Sequence, residues 1–258
     1  MKKIRPAQTI ILKSPREIEK LRAVNQIVAT VLHELRGYIE PGISTGELDR
    51  IADGRLRFYG AGAAFKGYHG YPATACISIN NEVVHGIPSN NRILNEGDLV
   101  SIDLGAVREG YFGDAAISLL VCDGPDVAKK LLEVTSSALV SGIAEASAGA
   151  NLGDISSAIQ RFVESKGFSV VRKFVGHGIG RALHEPPEVP NYGKRGCGPV
   201  LKPGMVLAIE PMVNAGGYDV QILDDGWTVV TADGSISAHF EHTVAITQHG
   251  PDILSELK

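Results

Sequence analysis

The sequence predicts an α+β fold made of two related halves with a functional site between them. Three observations predict it: apolar residues recur at helical spacing in several segments, short strand-like runs lie between these segments, and one strand-bearing segment is repeated later in the chain. With 258 residues, 44% of them hydrophobic, the chain can bury a full core. We expect one domain over residues 1–258, with an N-terminal half over about 14–122 and a C-terminal half over about 126–250.

The first predicted helix begins after Ser14. Ser14 can cap the helix, Pro15 suits the first turn, and Glu17 can close a capping box. Apolar residues then recur at spacings of three and four up to Leu35, and Gly37 is expected to end the helix.

The remaining elements follow from the same periodicities. They are, in chain order, a helix from near Thr45 towards Gly60, strands at 76–79 and 83–84 joined as a hairpin by Asn80-Asn81, strands at 99–104 and 116–121, helices at 126–148 and 154–166, and strands from Val206 onward.

The repeat joins residues 93–103 to residues 200–210, which match position by position at a constant offset. Both segments have a hydrophobic pair, a polar turn with an identical glycine, an apolar strand and a final acid, Asp103 or Glu210. We interpret the match as an internal duplication. A chance likeness of two turn-and-strand units is the alternative.

Composition and charge exclude several classes of protein. The net charge of −4 gives no basic excess for binding phosphate backbones or anionic lipid. Lys2, Lys3 and Arg5 could imitate the start of a secretion signal, but no long apolar run follows them, and we expect a cytoplasmic protein. Three widely separated cysteines support neither a disulfide framework nor a Cys-x-x-Cys zinc module.

Four acids interrupt segments that are otherwise suited to burial: Asp103, Asp114, Glu210 and Glu241. No Lys or Arg adjoins them in sequence, and buried carboxylates that lie together repel one another. Divalent cations are the natural way to keep them ionised. For any one of these acids taken alone, a capped turn or a surface salt bridge is the alternative.

His177 stands among the three glycines of Gly176-His177-Gly178-Ile179-Gly180, where the backbone can approach a ligand closely. One imidazole with four carboxylates suits Mn, Fe, Co or Zn better than Ca or Mg. The segment does not have the Gly-x-Gly-x-x-Gly spacing of a dinucleotide-binding loop. His85 and His184 stand beside stiff turns and are either satisfied structural residues or groups that transfer protons or stabilise an oxyanion.

The ordered set of these motifs resembles the type I methionine aminopeptidases (peptidase family M24, subfamily A) in their short bacterial form. The resemblance runs over residues 14–249. It is carried by Asn81-Glu82-Val83-Val84-His85-Gly86-Ile87-Pro88, Asp103-Leu104-Gly105, Gly113-Asp114, Gly176-His177-Gly178-Ile179-Gly180, His184-Glu185, Ile209-Glu210-Pro211-Met212 and Phe240-Glu241-His242-Thr243.

The resemblance implies the pita-bread (creatinase/aminopeptidase) fold, with two pseudo-symmetric halves around a central dinuclear metal site. Two divalent ions, Co, Mn, Fe or Zn, are expected as cofactors. Asp114 and Glu241 would bridge them, Asp103 would chelate one, and His177 with Glu210 would hold the other.

The resemblance also assigns a substrate site. His85, His184 and Glu210 are expected to be catalytic, with His85 and His184 in contact with substrate. Tyr68, Tyr71, Cys76 and Trp227 are expected to line a pocket for the methionine side chain. Without the resemblance, a packed loop would explain the two tyrosines and a small buried hydrophobe would explain Cys76. Leu183 replaces an aromatic residue common in bacterial relatives, which implies a somewhat wider pocket.

The implied activity is hydrolytic removal of the initiator methionine from nascent proteins by a metal-activated water, preferably before a small second residue. Expected partners are nascent N-termini and the ribosome, with no need for nucleic acid or a membrane, and the chain is expected to be a monomer.

Two rival functions remain. One is a proline-directed or creatinase-like peptidase, although such relatives usually carry an additional N-terminal domain and only about 75 residues precede the first motif here. The other is a catalytically inactive binding protein, which the presence of all five ligand-type residues and both histidines disfavours.

Overall fold

The computed structural model describes residues 9–257, so the basic residues Lys2, Lys3 and Arg5 lie outside the described range. The helices within that range are α1 (Pro15–Arg36), α2 (Thr45–Phe58), α3 (Asp126–Ala144) and α4 (Leu152–Ser165), with a 3-10 turn at Tyr68–Gly70. The strands are β1 (Gly62–Ala63), β2 (Ala75–Ile79), β3 (Glu82–Val84), β4 (Leu99–Arg108), β5 (Tyr111–Leu120), β6 (Ser169–Val170), β7 (Gly176–Gly178), β8 (Glu185–Val189), β9 (Val206–Ile209), β10 (Met212–Asn214), β11 (Val220–Ile222), β12 (Val229–Thr231), β13 (Ser237–His239), β14 (Glu241–Thr247) and β15 (Gly250–Ile253).

Helix α1 confirms the predicted start. Ser14 and Glu17 form the expected capping box, Pro15 occupies the first turn, and Gly37 follows the last helical residue. The predicted apolar positions from Leu21 to Leu35 are buried. Local signals were sufficient here because capping and helical periodicity act within a few residues of each other.

Two predicted helix bounds in the second half are wrong by a few residues. Helix α3 ends at Ala144 rather than residue 148, since the chain beyond it turns away and the Gly149 N–H donates to the Leu201 carbonyl (2.9 Å). Helix α4 begins earlier than residue 154, because the Asp154 carboxylate accepts the N–H of Asn151 (2.8 Å) and acts within the first turn.

Among residues 9–257, the main sheet has nine strands, with the order β1-β4-β5-β14-β9-β7-β8, β2 pairing with β4 and β15 with β14. β4 and β5 form a continuous hairpin from Leu99↔Leu120 to Arg108↔Tyr111, and both are longer than predicted. Their turn is Glu109-Gly110, in which both residues have positive φ (52° and 76°), as the two-residue hairpin turn requires.

The predicted hairpin at Asn80-Asn81 is wrong, although both of its strands exist. β2 pairs with β4, whereas β3 pairs with β12 in a separate sheet. The cause is Asn80, whose side chain bonds to Asp98 (2.7 Å) and to the Leu99 N–H (3.0 Å), while its carbonyl accepts the Ser237 N–H (2.8 Å). These contacts direct the two strands to different partners.

The repeat extends beyond the matched segments to their backbone contacts. Helices α2 and α4 keep the offset that aligns Asp103 with Glu210. The residue before each helix forms an isolated bridge to the start of the repeated segment, Ser44↔Ile93 in the first half and Asn151↔Val200 in the second. Equivalent hydrogen bonds at equivalent positions are what an internal duplication predicts.

The apolar core lies between the helices and one face of the main sheet. Ile102 and Leu104 of β4 belong to the cluster that contains the buried faces of α1 and α2. Leu207 and Ile209 of β9 belong to the cluster that contains those of α3 and α4. Because side chains alternate along a strand, Asp103 points to the opposite face.

Across residues 9–257, every helix is too short or too polar to cross a lipid bilayer.

Candidate metal centre and substrate cavity

A cavity of about 430 Å³ contains every residue that the sequence predicted for the metal and substrate sites. It is lined by Phe65, Tyr68, His69, Tyr71, Cys76, His85, Asp103, Asp114, His177, Leu183, His184, Glu210, Trp227 and Glu241. The carboxylates and histidines line one side of the cavity and are residues of the kind that bind metals. The aromatic and sulfur side chains form its apolar wall, so one cavity holds both groups of residues.

Strand register explains why the acids of the first half converge with Glu241. Asp103 on β4 and Glu241 on β14 both lie directly opposite Ala116 of β5, one from each side. Directly opposed residues of neighbouring antiparallel strands point to the same face. Asp114 lies two residues before Ala116 on the same strand and therefore shares that face.

The same reasoning places the second half. Ala208 of β9 lies opposite Thr243 of β14 on one side and His177 of β7 on the other. Thr243 is two residues from Glu241, and Glu210 is two residues from Ala208, so these side chains point to the same face. Five ligand-type side chains from five chain segments thus share one face of the sheet and line the same cavity.

His177 is held with one ring nitrogen facing the acids. Its Nδ1 lies 2.9 Å from the Gly178 carbonyl, which places the proton on Nδ1. The Nε2 atom lies 3.5 Å from Glu210 Oε1 and 3.9 Å from Asp114 Oδ2. Burial lowers the pKa of His177 to about 3, so the ring is neutral and Nε2 offers a lone pair.

The four carboxyl groups are destabilised as anions in the absence of a cation. Burial raises the pKa of Asp103 to about 7. Burial, together with the charges of neighbouring carboxylates, raises the pKa values of Asp114, Glu210 and Glu241 well above their ordinary range. Among the described residues, the ion-pair contacts of these groups are all with histidine, namely His177 and His239.

The donor set fits a divalent metal. Asp103 Oδ1, Asp114 Oδ1 and Glu241 Oε1 are buried atoms without a hydrogen-bond partner in the described chain. Ligand atoms of Asp114, His177 and Glu241 lie within 4.8 Å of one another. Carboxylates with a neutral imidazole suit transition-metal cations, which would supply the missing positive charge.

The glycines beside His177 are required by close packing of strands. A Cβ atom at Gly176 would lie 2.3 Å from the Ala208 carbonyl oxygen, and one at Gly178 would lie 2.3 Å from that of Pro186. Both contacts are shorter than any real Cβ contact. The motif therefore lets β7 fit between its neighbours and bring His177 to the acids.

The apolar wall contains the predicted methionine-pocket residues. The Tyr71 hydroxyl lies within hydrogen-bond distance of two carbonyls, those of Ala75 (3.1 Å) and Gly86 (3.0 Å), which share its single proton. Its ring packs edge-on to Trp227 at 5.1 Å. Burial raises the pKa of the Cys76 thiol well above its usual range, so Cys76 is a neutral apolar contact rather than a nucleophile. Leu183, also buried, completes this wall.

His85 lies in a strained backbone conformation at the cavity. Its φ of 61° is uncommon for a residue with a side chain, and such conformations concentrate at functional sites. Its ring is edge-on to Phe174 at 5.6 Å and to Trp227 at 6.3 Å. Burial, followed by the charge of His184, lowers the pKa of His85 to about 4, so this imidazole is neutral near pH 7.

His184 lies at the mouth of the cavity. Its Nδ1 atom is 2.8 Å from the Tyr68 hydroxyl, and its ring centroid is 4.2 Å from that of His177. Burial of the ring by these neighbours lowers the pKa of His184 although the residue reaches solvent. The ring is therefore oriented by Tyr68 beside the proposed metal ligands.

Three residues of the site were not predicted: Phe65, His69 and His239. Phe65 and His69 line the cavity. His239 is buried, and its Nε2 atom lies 3.7 Å from Glu210 Oε2 without a hydrogen-bond partner in the described range. A signal existed for His239, because it lies two residues before Glu241, on the strand that leads into that motif.

The fold and this site define a metal-dependent peptidase. A family model described as metallopeptidase family M24 matches residues 19–248. The chain is 54% identical to methionine aminopeptidase 1 of Bacillus subtilis over 248 residues, which cover 96% of this chain and 100% of that protein. It is 45% identical to the Escherichia coli K12 methionine aminopeptidase over 247 residues, 95% of this chain and 94% of that protein. The chain therefore belongs to metallopeptidase family M24 and, within it, to the methionine aminopeptidases.

Solved structures agree with this assignment. The crystal structure of methionine aminopeptidase from Thermotoga maritima superposes with a TM-score of 0.95 at 46% identity and covers 96% of this chain and 100% of that one. A prolidase from Pyrococcus furiosus shares the fold at 23% identity, with a TM-score of 0.79 and coverage of 66% of its own length. The predicted family, the pita-bread fold and the class of metal-dependent aminopeptidase are confirmed.

Proposed function

We propose that this chain removes the initiator methionine from the N-termini of nascent proteins, preferably when the second residue is small. The main support for this function is that one cavity is lined both by the five ligand-type residues and by a wall of aromatic and sulfur side chains. The cluster provides the hydrolytic chemistry, and the wall suits a thioether side chain.

The proposed metal ligands are those that the sequence indicated. Asp114 and Glu241 would bridge two divalent ions, Asp103 would chelate one, and His177 with Glu210 would hold the other. Support comes from the shared face of all five side chains and from the unpartnered oxygens of Asp103, Asp114 and Glu241. When bound, such cations lower the pKa of water towards neutrality and polarise a carbonyl group. Co, Mn, Fe and Zn all suit this donor set.

The methionine side chain would lie against Tyr71, Cys76 and Trp227. Tyr71 is held by the hydrogen bond that its hydroxyl shares between the Ala75 and Gly86 carbonyls, so the wall is formed before substrate binds. Sulfur and aromatic groups interact favourably at ring edges. Tyr68, which bonds to His184, would close the pocket on the side of the scissile bond.

Three side chains would move or stabilise charge during hydrolysis. Glu210 would carry the proton from the attacking water, because its carboxylate lines the cavity beside His177 and belongs to the ligand cluster. His184 Nδ1 lies 2.8 Å from the Tyr68 hydroxyl. In the tautomer in which this hydroxyl donates to Nδ1, the ring proton would be on Nε2, where it could donate to the developing oxyanion. His85 would contact the nitrogen of the scissile bond.

The setting of this activity follows from the function. Nascent polypeptide N-termini in the cytoplasm would be the substrates, with the ribosome as a partner and the chain acting as a monomer. We also propose that residues 1–258 form a single catalytic domain, with halves at about 14–122 and 126–250, because β14 of the second half pairs directly with β5 of the first.

Two substrates distinguish this function from its main rival. Purified chain reconstituted with Mn or Co should release methionine from a Met-Ala-Ser peptide and leave Xaa-Pro peptides intact. Cleavage of the Xaa-Pro peptides alone would support a proline-directed peptidase. A protein that binds no divalent metal and cleaves neither peptide would instead be a binding protein on this fold.

A further inference from the structure

A buried ion pair joins the segment before α1 to the first residue of β8. Lys13 Nζ lies 2.5 Å from Glu185 Oε2, and the two side chains are only 4% and 6% exposed. Removing one partner of a buried pair leaves an uncompensated charge, which is strongly destabilising. The two residues are far apart in sequence, so the pair fixes one chain segment against another.

The second oxygen of Glu185 organises the turn that carries His184. Glu185 Oε1 accepts the backbone N–H groups of Arg181 (2.7 Å) and Ala182 (3.1 Å). We call residues 181–185 the His184 turn. Its backbone is thus wrapped around the carboxylate that Lys13 holds from the other side, and His184 is the residue immediately before that carboxylate.

Lys13 is also bonded to the chain segment that leads into strand β9. Its backbone N–H donates to the Gly204 carbonyl (2.7 Å), and its Nζ also donates to the Ile11 carbonyl (3.0 Å). Gly204 directly precedes Met205 and strand β9, the strand that leads to Glu210. The position of the ammonium group is therefore tied to the element that supplies a proposed metal ligand.

The last glycine of the His177 motif leaves room for the pair. A Cβ atom at Gly180 would lie 2.5 Å from Lys13 Cε and 2.6 Å from Glu185 Oε1. The Gly180 carbonyl also accepts the Phe112 N–H (2.9 Å), which fixes the start of the turn to β5. The space around the ion pair is therefore built into the same motif that presents His177.

We propose that Lys13 is a positioning residue for catalysis: through Glu185 it holds the His184 turn so that the His184 ring stays against Tyr68 and His177. The inference rests on the proposed function, because it takes His184 to act on the scissile carbonyl. An ion pair that only stabilised the fold would not need to contact the His184 turn. Here Glu185 Oε2 binds Lys13, and Glu185 Oε1 accepts hydrogen bonds from the backbone of that turn.

The test is a double-mutant cycle with Lys13→Met and His184→Ala, assayed on Met-Ala-Ser with kcat normalised to folded, metal-loaded protein. Lys13→Met should lower kcat roughly tenfold to a hundredfold, since small displacements of a catalytic group have effects of that size. KM should change less than about twofold, because His184 acts in the transition state. In the H184A background, Lys13→Met should have little further effect on kcat.

Arg22→Met is the matched control. Arg22 forms another long-range ion pair of the N-terminal region, with Asp252 (2.5 Å), and neither residue lines the cavity. This variant should keep the kcat of the unaltered chain even if it unfolds at a lower temperature. Failure of the unaltered chain and of Arg22→Met to cleave the peptide would contradict the proposed function itself, separately from the role of Lys13.

A second variant keeps the test decisive if Lys13→Met does not fold. In the K13M/E185Q chain no buried charge is left unpaired, and the amide oxygen introduced by E185Q can still accept the two turn N–H groups. We expect K13M/E185Q to lose as much kcat as Lys13→Met does. When the two changes are added to H184A, kcat should fall little further. A folded variant with unchanged kcat, or an equal loss of kcat in the presence and absence of the His184 side chain, would overturn the proposal.

Discussion

His177 Nε2 lies 3.5 Å from Glu210 Oε1, although the two side chains come from different chain segments. Without a cation they do not form an ion pair, because the imidazole carries no positive charge. The His177 ring is neutral, and the pKa of Glu210 is raised by burial. The Nε2 atom and the carboxylate oxygen both offer lone pairs, and no hydrogen bond joins them. Such a pair is arranged to bind a positively charged group between them. A divalent cation is the group that the surrounding carboxylates also need.

His177→Ala should abolish metal-dependent release of methionine from Met-Ala-Ser. The change removes the imidazole donor from a site whose other donors are carboxylates, so the bound metal per chain should also fall. Peptide turnover and metal analysis on the same preparation measure both effects. His249→Ala, at an exposed turn, is the control and should behave as the unaltered chain does. Near-normal turnover in His177→Ala would refute the ligand assignment.

His85→Ala and His184→Ala should each lower turnover about a hundredfold while leaving metal content intact. Loss of a single group that stabilises developing charge or transfers a proton typically has an effect of this order. Neither side chain is among the five proposed metal ligands, Asp103, Asp114, His177, Glu210 and Glu241. Steady-state kinetics combined with metal analysis separates the two quantities. Loss of metal from either variant would contradict the roles proposed for these histidines.

His239→Ala should weaken metal binding about tenfold to a hundredfold. The His239 ring is the buried neighbour of Glu210, and groups that orient a ligand usually affect metal affinity by this amount when removed. His239→Gln retains a donor of similar reach and should lose much less. Calorimetric titration of each metal-free protein with metal gives the metal affinity of His239→Ala, of His239→Gln and of the unaltered chain. Equal affinities for the Ala, Gln and unaltered proteins would show that Glu210 needs no such neighbour.

The metal-free chain should be less stable at pH 8 than at pH 6. Burial raises the folded-state pKa of Asp103 to about 7 and those of Asp114, Glu210 and Glu241 well above their ordinary range, so the folded protein binds these carboxyl protons more tightly than the unfolded chain does. The resulting contribution to stability is complete at low pH and is lost as the pH rises through about 7. Mn or Zn should therefore raise the melting temperature more at pH 8 than at pH 6, because the cation replaces the proton.

Asp103→Asn provides the control for this pH dependence, since its amide does not titrate. Thermal unfolding in the presence of a chelator should then depend less on pH between 6 and 8. A metal-free protein whose melting temperature rises from pH 6 to pH 8 would mean that the buried carboxyl groups are not the source of the effect.

Local sequence signals predicted the parts of the fold that depend on neighbouring residues. The capping box at Ser14 and Glu17 marked the start of α1 because all of its interactions lie within one turn. The repeat aligned Asp103 with Glu210 because both halves keep the same turn and strand pattern. Burial and charge then indicated which acids needed a partner.

Long-range pairing could not be predicted in this way. The convergence of Glu241 with Asp103 depends on β14 lying beside β5, a register that no local pattern specifies. The Asn80-Asn81 turn had the composition of a hairpin, but contacts from Asn80 to β4 and Ser237 decided the pairing instead. The Lys13–Glu185 pair was missed for the same reason, since its residues meet only in the folded chain.

The most direct test of the central claim is anomalous diffraction from crystals of the Mn-loaded protein, recorded at the manganese absorption edge. Two anomalous peaks are expected in the cavity, with Asp114 and Glu241 touching both, Asp103 touching one, and His177 with Glu210 touching the other. Full manganese occupancy at a site that excludes His177 and Glu241 would contradict the account.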